Sequence, residues 1–98
     1  VARYKISKAA VNDLYEIGLY TEIEWGVEQR NFYLDELESH FDYLANHSHD
    51  LAEKARDDIK RGCYFSFVYK HVVVFRRFSY GIRIVRVLHQ RMDYARHL

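Results

Sequence analysis

The stretch from Tyr64 to His89 limits the possible folds most. Three runs rich in Val, Ile, Phe and Tyr, at Tyr64–Tyr69, His71–Ser79 and Ile82–His89, follow one another with almost nothing between them. β-branched and aromatic residues suit a pleated, half-buried surface. The joins at Tyr69-Lys70-His71 and Ser79-Tyr80-Gly81 are too short for anything but hairpin turns. Three antiparallel strands are therefore expected, and the rest of the chain must supply the layer that covers them.

That layer is legible upstream. Tyr4-Ile6 reads as a short first strand, and Ser7 as an N-cap whose hydroxyl accepts from a free N–H of the next turn. Ala10, Leu14, Ile17 and Thr21 recur at helical spacing, with Asp13, Glu16, Glu22 and Glu24 mostly off that stripe. Gly26 supplies the stop, and Trp25 beside it is expected to lock two helices together. The second helix carries Leu34, Leu37, Phe41 and Leu44, and the polar run Asn46-His47-Ser48-His49 ends it. So short a turn implies an antiparallel helical hairpin. Leu51 to Arg56 is read as one further helical turn, and the residues from Met92 as a loose tail.

The order β-α-α-β-β-β gives an α+β fold. The short strand and two-helix hairpin pack on one face of a small antiparallel sheet. A chain of this length suits one domain spanning 1–98. Its hydrophobic share, 49%, is enough for a real core. In the last strand, Ile82, Ile84 and Leu88 are assigned to one face, and Val85 and Val87 to the other with Arg83 and His89. The hairpin covers one face, so the second is expected to be an open apolar floor ringed by Arg and His.

Charge sharpens that expectation. Through Asp58 there are 6 Lys/Arg against 13 Asp/Glu, and from Ile59 onward 9 against one, so a net +1 conceals an acidic half and a basic half. The split either solubilises helices and sheet against each other or equips the basic half for a polyanion or acidic partner. The longest apolar run, Val72-Phe75, is far too short to span a bilayer, and VARYKIS carries no signal-peptide pattern. A single cysteine, Cys63, suits a reducing cytoplasm and reads as a small buried hydrophobe. His40, His47 and His49 lack a metal-ligand frame and are read as surface loop residues, so no metal and no cofactor are expected.

The segment VRVLHQRMD holds the chemistry-bearing types. His89 could move a proton near neutral pH, with Arg83, Arg86 or Arg91 on a phosphate, as RNA cleavage through the 2′-hydroxyl requires. Any basic β-sheet would offer as much, and composition alone fixes no geometry.

Longer fragments carry a family resemblance. ISKAAVNDLYEIGLYTEIEWGVEQRNFYLDELESHFDYLA resembles the first half of ParE-type toxins of the RelE/ParE superfamily. HVVVFRR and IRIVRVLHQRMDYARHL resemble that family's later strands and ending. The departures are Asn46-His47 and Leu51-Ala52 in place of Asn-Pro and Leu-Gly, Tyr64 in place of an arginine, and Phe75 in place of a tyrosine. The resemblance implies a non-enzymatic toxin of a type II toxin–antitoxin module that poisons DNA gyrase. It further implies neutralisation by an acidic ParD-like antitoxin, without sequence-specific DNA binding by the toxin itself. Arg76, Arg83, Arg86, His89 and Arg91 are then antitoxin- or target-binding residues. The alternatives are a RelE-like endoribonuclease using His89, where Gln90 replaces the tyrosine of the nuclease cousins, or a degenerate antitoxin-binding member.

Overall fold

A computed structural model describes residues 3–47 and 55–98. The elements are β1 (Arg3–Ile6), α1 (Lys8–Trp25), α2 (Val27–Asn46), β2 (Tyr64–Val68), β3 (His71–Phe78), β4 (Gly81–His89) and a single turn, α3 (Tyr94–His97). The strands lie in the order β1-β4-β3-β2. β2, β3 and β4 form the expected antiparallel meander, and β1 joins its far edge parallel to β4. The further turn read at Leu51–Arg56 falls mostly outside the described residues, and Ala55 and Arg56 are irregular.

Ser7 links helix and sheet. Its Oγ accepts from the Ala10 N–H at 3.1 Å, capping α1, and donates to the Val85 carbonyl at 2.7 Å. Gly81 permits the β1–β4 pairing, because a Cβ there would lie 1.9 Å from the Arg3 carbonyl oxygen. At the hairpin tip Gly26 has φ 95°, a region that side-chain-bearing residues avoid.

Both helical stripes bury as the spacing predicts. Ala10, Leu37, Phe41, Leu44 and Ala45 meet Val73, Phe75, Ile82, Ile84 and Val87 on the inner face of the sheet, with Leu14, Ile17 and Leu34 packed around them. The helices leave the outer face to a second cluster.

That second cluster corrects three expectations. First, a β-bulge breaks the alternation in β4: Phe75 pairs with Ile84 but Val74 pairs with Arg86, leaving Val85 unpaired. Val87 therefore joins Ile82 and Ile84 in the inner core, while Leu88 moves to the outer cluster with Val72, Val74, Phe65 and Cys63. Second, the residues after Met92 are not loose. They form α3, and Tyr94 and Leu98 pack on this cluster together with Ile59. Third, the apolar centre of the outer face is accordingly covered by the chain's own tail and the loop before β2, with Phe67 on the edge strand left exposed. Leaving Phe65 and Leu88 wet would forfeit about 2 kcal/mol each, which is what holds the tail down.

Candidate functional site

Besides Phe67, Tyr69, Phe78 and Met92, the exposed large apolar side chains lie on the two helices and at their tip. Val11, Tyr15, Leu19 and Ile23 recur every fourth residue along α1, so they are neighbours on its outer side. All four are exposed. Trp25 and Val27 continue the surface around the hairpin tip, and Trp25 is 71% exposed. The expectation that Trp25 clamps the helices is thus wrong.

The cations divide into committed and free. Asp13, expected off the buried stripe, is nearly buried. Its carboxylate accepts from Arg86 Nε at 2.7 Å and Nη2 at 2.9 Å, and from the Val87 backbone N–H at 2.9 Å. Arg86 Nη1 donates to the His97 carbonyl at 2.8 Å. The pair holds the Arg86 guanidinium above its ordinary pKa, chiefly through the Asp13 hydrogen bonds. Arg86 thereby ties α1, β4 and the tail together. Asp13 is detectable in principle: it lies three residues after Ala10 and four before Ile17, on the stripe's own side.

Arg83 differs. It is paired in register with Lys5 on one side and Arg76 on the other, making a row of three cations across β1, β4 and β3 on the outer face. Among the described residues, none of the three belongs to an ion pair. Lys5 lies 4.8 Å above the ring of Tyr80, which stacks on Phe78.

His89 stands at the opposite end of β4 from Arg83. Five residues of the strand lie between the two, a span of about 20 Å. Its neighbour is His71, in register across the strand pair, with the ring centroids 5.5 Å apart. His89 Nδ1 accepts from the Arg91 backbone N–H at 3.1 Å, so a neutral ring carries its proton on Nε2. His71 Nδ1 lies 2.5 Å from the Tyr33 hydroxyl. Burial, and then the neighbouring His89, lower the His71 pKa to about 4. The imidazole is therefore neutral beside the tyrosine hydroxyl. Gln90 donates to the Tyr69 carbonyl at 2.6 Å and so braces the β2–β3 turn, where Tyr69 adopts φ 51°. His89 is thus not brought together with Arg83, and Arg86 is engaged elsewhere. Arg91 is exposed just beyond the strand.

The remaining histidines and the cysteine sit apart from this pair. His40 lies on α2 rather than in a loop, with Nε2 2.9 Å from Ser66 Oγ and its pKa lowered by burial. His47 is exposed, and His49 lies outside the described residues. Among the described residues no cluster of three or more His, Cys, Asp or Glu could hold a metal ion. Cys63 is fully buried, and burial pushes its thiol pKa up.

A family model described as ParE toxin of the type II toxin–antitoxin system, parDE, matches residues 4–94. The chain belongs to the ParE toxin family. Two curated ParE relatives support this along their whole lengths. Toxin ParE1 of Caulobacter vibrioides is 36% identical over 95 residues, covering 97% of this chain and 96% of the relative. Toxin ParE1 of Mycobacterium tuberculosis is 39% identical over 98 residues, covering 99% and 98%. A solved structure described as the chromosomal ParDE TA system from P. aeruginosa superposes with a TM-score of 0.77 at 18% identity, covering 90% of this chain and 95% of that one. That last likeness shows that the fold is shared. In this ParE-family chain the helical hairpin, the meander and the parallel β1 are therefore family architecture.

Proposed function

We propose that the chain is a non-enzymatic toxin that poisons DNA gyrase and is held silent by a cognate ParD-like antitoxin in the cytoplasm. Membership of the ParE family carries the reading, because gyrase poisoning is the usual activity of ParE toxins. The geometry supports a binding protein over a catalyst. Of the arginines that RNA cleavage could use, Arg83 lies at the far end of β4 from His89 and Arg86 is committed to Asp13, which leaves Arg91 beside His89. No helix of the described residues is long and apolar enough to cross a membrane.

The antitoxin then has two kinds of surface to meet. An amphipathic segment can lay its apolar residues along Val11, Tyr15, Leu19 and Ile23, as helix-in-groove recognition does. Arg76, Arg83, Arg91 and His89 remain antitoxin- or target-binding residues, while Arg86 acts through the fold. The deciding experiment places purified toxin on gyrase supercoiling and on translated mRNA side by side. Loss of supercoiling with intact mRNA supports the reading. Cleavage of mRNA that His89→Ala abolishes, with supercoiling untouched, would replace it with the endoribonuclease.

A further inference from the structure

Like charges directly opposite one another on neighbouring strands repel and destabilise a sheet. This chain nevertheless sets Lys5, Arg83 and Arg76 side by side on β1, β4 and β3. The arrangement is not for want of acids. Asp13, Glu22 and Asp58 are each assigned to an arginine elsewhere in the molecule. The row has no such partner among the described residues.

Its surroundings decide what kind of anion it fits. Tyr94, Leu98 and Ile59 cover Phe65, Val72, Val74 and Leu88 on the outer face, and the exposed Phe67 stands on the edge strand β2, away from the Lys5 end of the row. An amphipathic acidic peptide would find cations beside the row but no free groove there for its own apolar side. A phosphodiester backbone needs no groove. It needs cations at suitable spacing and profits from flat rings. Phe78 and Tyr80 stand beside the row, stacked with their planes 17° apart. Neighbouring strands lie about 4.8 Å apart, so the row spans about 10 Å, the axial rise of about three phosphates on one DNA strand.

From this we infer that the Lys5–Arg83–Arg76 row is a sequence-independent binding site for the DNA phosphate backbone. The inference rests on the gyrase reading for its biological setting, since a protein acting on a gyrase–DNA complex works beside DNA. It deepens that reading by assigning the toxin a direct contact with the nucleic acid. Base edges play no part: the sheet face is broad and enters neither groove.

The test uses the full chain and a short fluorescein-labelled DNA duplex, with anisotropy titrations between about 50 and about 200 mM salt. The row variant Lys5→Gln/Arg76→Gln/Arg83→Gln is compared with Lys8→Gln/Lys70→Gln/Arg96→Gln, which removes equal charge elsewhere. The row variant is expected to reduce the slope of log K against log salt by about 2.7, and the control by less than about 1. Arg83→Gln alone, with a loss of about 0.9, serves if the triple variant fails to fold. No binding by the unaltered chain at the lower salt would overturn the inference. So would equal losses in the two triple variants, or preference for an oligoglutamate peptide over the duplex. Gyrase inhibition by the unaltered chain is read separately, so either idea can fail without the other.

Discussion

Asp13 and Arg86 face each other across 73 residues of sequence, joined by two hydrogen bonds of 2.7 and 2.9 Å, and the same carboxylate takes the Val87 N–H. β1 ends at Ile6, so the β4 edge beyond Ile84 has no neighbouring strand on that side. Ser7 and Asp13 supply the missing partners from the start of α1. An arginine that composition offers to a ligand is in this way a structural tie.

Replacing Asp13 by Ala strands a part-buried guanidinium and a buried N–H together. The expected cost is about 3 kcal/mol of stability, read as a lower urea midpoint with unchanged m. Asp13→Ala/Arg86→Met should recover part of that loss, because it leaves no unpaired charge. An Asp13→Ala protein as stable as the parent would show that the pair is dispensable.

These residues also show what a sequence can and cannot disclose. The helices, the Ser7 cap and the meander are readable because periodicity, capping and turn length are local. Asp13 has the spacing of the buried stripe, three residues after Ala10 and four before Ile17, but its charge reads as solvent-facing because the partner that neutralises it lies on a distant strand. The bulge at Val85 is invisible, since every residue around it is a good strand former. The tail reads as loose because α3 is a single turn held by Tyr94 and Leu98 rather than by its own propensity. Of the candidate site, Arg76 and Arg83 stand out together in the sequence. Their third member, Lys5, does not, because the parallel β1–β4 pairing joins opposite ends of the chain.

His71 predicts an acid sensitivity. Its folded pKa of about 4 lies below the unfolded value near 6.5, so the unfolded chain binds the extra proton. The associated stability is fully present above about pH 6.5 and is lost progressively as pH falls towards about 4. Its part-exposure reduces the effect, leaving a loss of about 1 kcal/mol by about pH 5. The gap between urea midpoints measured at pH 7 and pH 5 should narrow in His71→Asn relative to the parent. An identical pH dependence in the two proteins would show that His71 is not the sensing group.

Trp25 gives a binding readout without a stability cost. Because the indole is exposed, Trp25→Ala should change folding stability by less than about 0.5 kcal/mol. Ile23→Ala/Trp25→Ala should weaken antitoxin binding by about 2 kcal/mol or more, roughly 30-fold, if the apolar surface of α1 is the recognition face. Calorimetry measures the affinity. The sole tryptophan offers a second check, since its emission should shift to the blue on complex formation. Unchanged affinity would move the interface off the hairpin.

Tyr94 tests the closed outer face. Its ring meets Phe65 edge-on at 5.3 Å and its hydroxyl donates to the Gln90 carbonyl at 2.6 Å. Tyr94→Ala should cost about 2 kcal/mol, the loss expected for a half-buried ring with one polar partner. It should also speed labelling of the buried Cys63 thiol. Labelling at the parental rate would mean that the tail does not guard this cluster.

Trapping of gyrase on broken DNA is the activity on which the whole functional reading turns. The most direct measurement adds purified toxin to gyrase and supercoiled plasmid, denatures the mixture with detergent and quantifies linear DNA. Linear product should grow with toxin, require gyrase and vanish when the cognate antitoxin is added first. Plasmid that stays uncut and fully supercoiled under a large excess of folded toxin would contradict it.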